Sequence, residues 1–398
     1  MGKSKHMEVK PKIETFARIK VLGIGGSGTS AVNRMTTLGI KGVEFIAINT
    51  DAQALHNNHS DRKVHIGKNT TRGLGSGMNP ELGRQAAEES IEELEEVVEN
   101  ADMVFLTCGL GGGTGTGAAP IVAELAKNQG VLTVAVITKP FTFEGSKRRE
   151  VAEVGYDHLK DKVDAIISIH NDRILQIIDK KTSLIDAFKT VDEVLRQGIS
   201  GISDLITTHG IVNADFADVK SIMEDAGTAL MGIGRASGDN RAVEAAKAAI
   251  SSPLLEMNIE GAQGVLFNIT GGKDLGMFEI DEAAKVITKS IDSDAKVKFG
   301  AVIDESLGDE VRITVIATGF DESNKRPNQI SMGLGEEERP QPAEPRIFTR
   351  PVQAPPGEAR KPLFSPKPAP VIKTMDETEG NEEEDELDIP AFIRKKMK

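Results

Sequence analysis

Apolar residues fall into two regimes along the first 320 positions. Short, mainly apolar runs occur at Arg18–Ile24, Val43–Ile48, Met103–Cys108, Val131–Ile137 and Ala165–His170. Such runs read as strands buried on both faces. The segments between them carry helical spacing. Ser30–Met35 follows the first strand. Glu81–Glu99 is acidic and amphipathic, with Leu82, Ile91, Leu94 and Val98 on one face, and Ala118–Ala126 tolerates Pro120 in its first turn. Strands alternating with helices predict a Rossmann-like parallel sheet covered on both faces, an α/β fold.

The longest periodic segment is Ser183–Thr207. Its apolar residues Leu184, Phe188, Val191, Leu195, Ile199, Ile202 and Ile206 step by three or four without a break, which predicts one long helix. Thr182 or Ser183 can cap its start and Gly210 can end it. Beyond it a smaller α+β region is expected. Ser221–Gly234, Asn240–Ser251 and Ile280–Ile291 read as helices, and Gly264–Thr270, Val297–Ile303 and Val311–Ala317 as strands.

Glycine-rich loops punctuate the sheet. Gly109-Leu-Gly-Gly-Gly-Thr-Gly-Thr-Gly117 lies between a buried strand and a helix N-terminus, a setting where bare N–H groups and the helix dipole favour an anion. Its glycines, Gly111, Gly112, Gly113 and Gly115 among them, permit close approach of a phosphate, and Thr114 and Thr116 add hydroxyls. Gly23-Ile-Gly-Gly-Ser-Gly28 matches G-x-G-x-x-G, and Thr71–Pro80 is a third such loop. Asn49-Thr-Asp51 ends the second strand, and Asp51 lies about where a ribose-binding acid sits in a dinucleotide fold. An NAD-linked oxidoreductase is therefore one alternative. Several glycine loops at one rim suit a triphosphate better than a single pyrophosphate.

Other side chains carry recognition chemistry. Glu144 can accept from ribose hydroxyls and Arg148 can donate to a phosphate or base edge, or both sit in an ordinary charged loop. Asn171 at a strand end can read a purine edge or serve as a turn residue. Phe188 can stack on a base, or pack in the core with the rest of its stripe. Asp192, one turn on, can accept from guanine N1–H and N2–H, donors that adenine does not pair in this way. Asn213, Asp215 and Asp218 crowd an amide and two carboxylates into six residues. They can orient a water or hold a cation, or Asp can cap a helix. The guanine-reading pair lies near the start of the long helix and these acids lie past its end. They therefore need a second molecule docked head to tail, and head-to-tail contacts that do not close give filaments.

Composition adds limits. The formal charge is −13, which disfavours nucleic acid or an anionic lipid surface as partner of the whole chain. Cys108 is the one cysteine, so no intramolecular disulfide forms and a reducing compartment is expected. No apolar run is long enough to cross a bilayer and no signal-peptide pattern opens the chain, so a cytoplasmic location is expected. Twelve of the 17 prolines lie between Pro327 and Pro390, which predicts a disordered linker. After it, Leu387, Ile389, Phe392 and Ile393 precede Arg394-Lys-Lys396, the pattern of a short binding motif or of a frayed terminus.

The nonamer at 109–117 resembles the tubulin-family phosphate loop. Together with Asn49-Thr-Asp-Ala-Gln53, Phe143-Glu-Gly145, Asn213-Ala-Asp-Phe-Ala-Asp218 and Asp388-Ile-Pro-Ala-Phe392, it resembles the FtsZ family of prokaryotic cell-division GTPases. The match spans about residues 16–320 and the last dozen residues. The resemblance implies a flexible start (1–15), a nucleotide-binding domain (16–181), a central helix (182–209), an activation domain (210–320), a linker (321–384) and a partner-binding peptide (385–398). It implies GTP/GDP and Mg2+ as cofactors, with Gly26, Ser27, Gly28, Thr29 and Ser30 lining the first phosphate loop. Gly113, Thr114 and Gly115 hold the β- and γ-phosphates, Glu144 takes the ribose, and Arg148 lies beside the nucleotide. Asn171, Phe188 and Asp192 read guanine, and Asn213, Asp215 and Asp218 act on the neighbour's γ-phosphate. Ser27, Thr29 and Ser30 depart from the family's usual small residues and Asn, though hydroxyls also donate to phosphate. The implied function is a GTPase active when polymerised, at the division site on the inner membrane face. Its partners are further copies of itself and membrane-tethering and regulatory division proteins held by the 387–398 tail. A nucleotide-binding scaffold without hydrolysis is the other alternative.

Overall fold

The computed structural model describes residues 17–320 apart from 41, 180, 208–211, 213 and 256, all within the first of the chain's two compact units, residues 1–329. The expected N-terminal segment, linker and terminal peptide, and Asn213, lie outside the described residues. The chain begins β1 (Ile19–Ile24), α1 (Gly25–Thr37), β2 (Val43–Asn49), α2 (Ala52–His56), β3 (Arg62–His65), α3 (Lys68–Thr71), α4 (Pro80–Glu89) and α5 (Ile91–Val98). It continues through β4 (Met103–Gly109), α6 (Thr114–Asn128), β5 (Leu132–Lys139), α7 (Ser146–Lys160), β6 (Ala165–His170) and α8 (Asn171–Ile174). The long helix α9 (Leu184–Thr207) leads to α10 (Phe216–Met223), β7 (Gly227–Ser237), α11 (Arg241–Ile250), β8 (Gly264–Gly271), α12 (Met277–Thr288), β9 (Lys296–Ile303) and β10 (Glu310–Thr318).

One ten-stranded sheet runs in the order β3-β2-β1-β4-β5-β6-β7-β10-β8-β9. From β3 to β7 the pairings are parallel. Register sorts the apolar residues between faces. Val21, Phe45, Phe105 and Val134 align and point to the core under α1, α9 and α10, while Leu22, Ile46, Leu106 and Ala135 point to the core under α4–α7. The mainly apolar runs are thus explained by helices on both faces. β7 is the seam. Its first residues pair parallel with β6, and Leu230 onward pairs antiparallel with β10. The strands beyond it carry a third core with α11 and α12.

Ser183 Oγ accepts from Asp186 N at 3.1 Å and caps α9 as expected. Its stripe from Val191 to Ile202 is buried, and Gly198 and Gly201 let the helix close on Met231 and Thr314 of the mixed strands.

Four expectations are corrected. Glu81–Glu99 is not one helix. The chain breaks at Ser90, whose Oγ accepts from Gly67 N at 3.1 Å, so α4 buries Gly83, Ala86 and Ala87 while α5 buries Leu94, Val97 and Val98. Ile91 is consequently exposed. Ser221–Gly234 is mostly strand: Asp225 and Gly227 have φ of 49° and 65°, which ends the helix, and β7 follows. Gly232 and Gly234 in that strand let the α11 carbonyls of Ala249 and Ala245 approach, a packing role that propensity does not reveal. The Ala118 helix starts at Thr114, so Pro120 lies in its second turn. The Ile280 helix starts at Met277, because Glu279 Oε2 accepts from Gly276 N at 2.8 Å and satisfies its first turn.

Candidate nucleotide site

The carboxyl ends of the parallel strands form the site, the position where such sheets bind ligands. The N-termini of α1 and α6 meet there. Neither has an acid in its first turn, so the positive ends of two helix dipoles are left uncompensated. Gly25 brings them together: its φ is 73° and a Cβ would sit 2.7 Å from Gly115 N. Gly111, at φ 93°, turns the second loop under the Arg148 carbonyl, 2.7 Å from where its Cβ would lie. At Gly26 and Gly112, by contrast, a Cβ would meet nothing within 4 Å.

A cavity of about 260 Å³ opens beside these loops. Of the expected residues, Gly26, Ser27, Ser30, Glu144, Arg148, Asn171, Phe188 and Asp192 line it. Glu144 and Arg148 form an ion pair at 2.9 Å, and Glu144 Oε1 also accepts from Phe141 N at 2.8 Å. Phe188 meets Phe141 edge-on at 5.6 Å, and Phe141 stacks on Phe143 at 4.9 Å. Phe188 is 38% exposed, so it is not the sealed core residue that its stripe allowed. Asp192 pairs with Arg34 at 2.8 Å. Burial pushes its carboxyl up to about 6, against the pull of the Arg34 guanidinium.

Unlike Ser30, the expected residues Gly28, Thr29, Asp51, Gly113, Thr114 and Gly115 lie outside that lining. Gly28 is buried against the Thr107 carbonyl, and Gly115 faces the Gly109 and Ile24 carbonyls. The Thr29 and Ser30 hydroxyls donate to Gly25 O and Gly26 O at 2.8 and 2.9 Å, within their own helix. Thr114 Oγ1 lies 2.6 Å from both the Thr50 and the Ser76 hydroxyls, and Gly113 N donates to Gly77 O at 2.8 Å. These bonds tie the 49–51, 71–80 and 109–117 loops into one rim. Thr116 Oγ1 accepts from Gly111 N. Asp51 caps α2, accepting from Ala54 N at 3.0 Å.

Buried polar atoms at this rim have no hydrogen-bond partner in the protein. Asn49 Nδ2, Asn171 Oδ1, the Arg148 Nε and the Arg34 Nη1 are such atoms, three donors and one acceptor; Arg34 Nη1 stands 2.8 Å from Asp192 as an ion pair without hydrogen-bond geometry. Unpaired buried groups of this kind cost stability unless a ligand meets them. Arg34 was not singled out in the sequence. Its signal was the spacing 27, 30, 34, which carries the loop's face one turn further down α1.

The acids stand elsewhere. Asp215 Oδ1 accepts from Asp218 N at 2.7 Å, capping α10, and Asp218 pairs with Lys298 at 2.7 Å. Val212, just before them, bridges to Ala301 of β9. They lie past the far end of α9, whose 24 residues at ~1.5 Å each span about 36 Å. Among the described residues no group of three or more His, Cys, Asp or Glu side chains is arranged to hold a metal ion, and no helix is long and apolar enough to cross a membrane.

Residues 18–179 match the model of the Tubulin/FtsZ family GTPase domain, and residues 227–321 that of the FtsZ family C-terminal domain. An empty FtsZ dimer from M. jannaschii is 45% identical, with a TM-score of 0.75 over 78% of this chain and 90% of that one. A point mutant of M. jannaschii FtsZ, also 45% identical, aligns with a TM-score of 0.74 over 77% and 92%. A GTPγS-bound protofilament of CetZ2 from Haloferax volcanii shares the fold at 20% identity, with a TM-score of 0.65 over 77% and 94%. Paired helix dipoles, interlocked glycine loops and a seam strand leading into a mixed sheet thus define a tubulin-like GTPase, a GTP-binding cytoskeletal protein. The NAD-linked alternative falls with this, and Asp51, which carried it, is a helix cap. The chain belongs to the FtsZ family of cell-division GTPases.

Proposed function

We propose that GTP occupies the cavity and is hydrolysed only when a second copy docks head to tail. One observation carries this: Phe188, Val191 and Asp192 of α9 line the cavity, the helix runs about 23 Å further from Asp192 to Thr207, and the acids follow beyond that end, so one chain does not bring them together. The empty dimer of the M. jannaschii relative supports self-association.

In this reading the phosphates lie on the N-termini of α1 and α6, against Gly26, Ser27, Gly28, Thr29, Ser30, Gly111, Gly112, Gly113, Thr114 and Gly115. Asn49 Nδ2 and Arg148 Nε supply donors that have no protein acceptor. Glu144 accepts from the ribose. Phe188 stacks on the base, Asp192 accepts from guanine N1–H and N2–H, and Asn171 Oδ1 takes a further donor of the base. Mg2+ would accompany the triphosphate and offset its charge during hydrolysis. From the neighbour, Asp215 orients the attacking water and accepts its proton, and Asp218 and Asn213 assist it.

The proposed division is a nucleotide-binding domain (16–181), a central helix (182–209) and an activation domain (210–320). The tail at 387–398 binds membrane-tethering and regulatory division proteins and so brings the polymer to the division site on the inner membrane face. Phosphate release per chain, measured across a dilution series, tests the reading. Specific activity should climb with concentration. A constant value down to the lowest concentration means that a single chain suffices.

A further inference from the structure

The ion pair between Arg34 and Asp192 divides two spaces. On one side lies the 260 Å³ nucleotide cavity. On the other lies a groove of about 580 Å³ whose walls include Leu38, Thr37 and Thr190. Both residues line both spaces. The Asp192 side chain is 13% exposed, and burial alone drives a carboxyl toward its neutral form. A neutral carboxyl offers a donor where guanine also presents donors, so base reading needs the ionised form.

Resting on the proposed role of Asp192 in reading guanine, we propose that Arg34 is a positioning residue for base recognition: its guanidinium, 2.8 Å from the Asp192 carboxylate at the cavity wall, keeps that carboxylate ionised, and so sets the lower pH limit of guanine binding. The other charges around Asp192 are already committed. Across the cavity, Glu144 pairs with Arg148 at 2.9 Å. Along the groove, Asp186 pairs with Lys189 at 2.8 Å and Glu193 with Arg196 at 2.6 Å. Arg34, from α1, is the cation paired with Asp192 itself, and it opposes the upward push of burial on that carboxyl.

The size of the effect follows from exposure. A nearby opposite charge lowers a carboxyl by about 1–3 pH units, and Arg34, at 39% exposed, belongs near the low end. Removing it should raise the pH midpoint of guanine binding by about one unit. From a midpoint near 6, that shift means about a fivefold loss of GTP affinity at pH 6 and about a twofold loss at pH 7.

Titration calorimetry of GTP and ATP from pH 5 to 8 tests this on wild type, Arg34→Met, Arg34→Lys and Asp192→Asn. ATP carries the same triphosphate, so the GTP-to-ATP affinity ratio cancels phosphate titration. For Arg34→Met the ratio should fall at higher pH than in wild type, while Arg34→Lys, which keeps the charge, stays near the wild-type profile. A ratio profile unchanged in Arg34→Met, or a loss of equal size at every pH, overturns the role of Arg34. A ratio undiminished in Asp192→Asn overturns the base-reading role beneath it, and does so independently of either Arg34 variant.

Discussion

Replacing Asp192 by Asn alters one atom and should change which base is bound. The carboxylate presents two acceptors and matches guanine N1–H and N2–H. Asn presents one acceptor and one donor. Xanthine keeps N1–H but carries a carbonyl at C2 in place of the amino group, so it matches Asn and mismatches Asp. A hydrogen bond to a charged group contributes about 1.5–3 kcal/mol, so Asp192→Asn should weaken GTP by about 10- to 150-fold. XTP should improve in the same variant, because an unpaired buried donor is met. Burial of Asp192 tempers the wild-type value, since part of the gain is used to keep a carboxyl ionised whose own preference is for titration at about 6. The sign with pH follows: GTP binding by wild type weakens as pH falls through about 6, and in the variant that dependence disappears. Competition of GTP and XTP against a fluorescent guanine nucleotide measures both halves. If Asp192→Asn loses both nucleotides equally, or retains GTP, then Asp192 does not read the base.

Three further outcomes follow. Gly111→Ala should unfold several degrees lower in a thermal melt and weaken GTP, because its φ of 93° is strained for Ala and a Cβ would meet the Arg148 carbonyl at 2.7 Å. Burial pushes Asp204 up to about 6, so its penalty is absent below the unfolded value, grows as pH rises between about 4 and 6, and reaches about 3 kcal/mol at neutral pH; Asp204→Asn should therefore gain stability over wild type at pH 7 and lose that advantage by pH 4 in urea titrations. Phe392→Ala should leave polymerisation and phosphate release unchanged while a tail-directed division protein no longer cosediments with the polymer.

The parallel half of the fold was legible because its strands are buried on both faces, and Met103–Gly109 has no reading other than strand. The seam was less so. Gly227–Ser237 looks helical by composition, and only packing against the α11 carbonyls of Ala245 and Ala249 explains Gly232 and Gly234. The break at Ser90 depends on Gly67, 23 residues away, a bond that no local pattern signals. At the site, Gly26, Glu144, Asn171, Phe188 and Asp192 were named from the sequence and line one cavity. The hydroxyls of Thr29 and Thr114 were read as facing phosphate, yet they bond to the α1 backbone and to neighbouring loops. A side chain's local pattern gives its chemistry but not which of two nearby acceptors it meets. The spacing 27, 30, 34 puts Arg34 on the loop's face of α1, but its partner Asp192 lies 158 positions on, and no local pattern joins the two.

The central claim is that one chain holds GTP and its neighbour supplies the acids. Asp215→Ala keeps its own nucleotide cavity but lacks the acid, while Asp192→Asn keeps the acid and binds GTP poorly. Each alone should release phosphate slowly, since positioning of a nucleophile accounts for about 10²–10⁴-fold in rate. Mixed in equal amounts, at a GTP concentration that fills only the Asp215→Ala sites, they should recover up to about a quarter of wild-type activity, because half of the copies are GTP-loaded Asp215→Ala and about half of these meet the intact Asp215 of an Asp192→Asn partner. A mixture that co-assembles yet stays as slow as its two components would contradict hydrolysis across the interface.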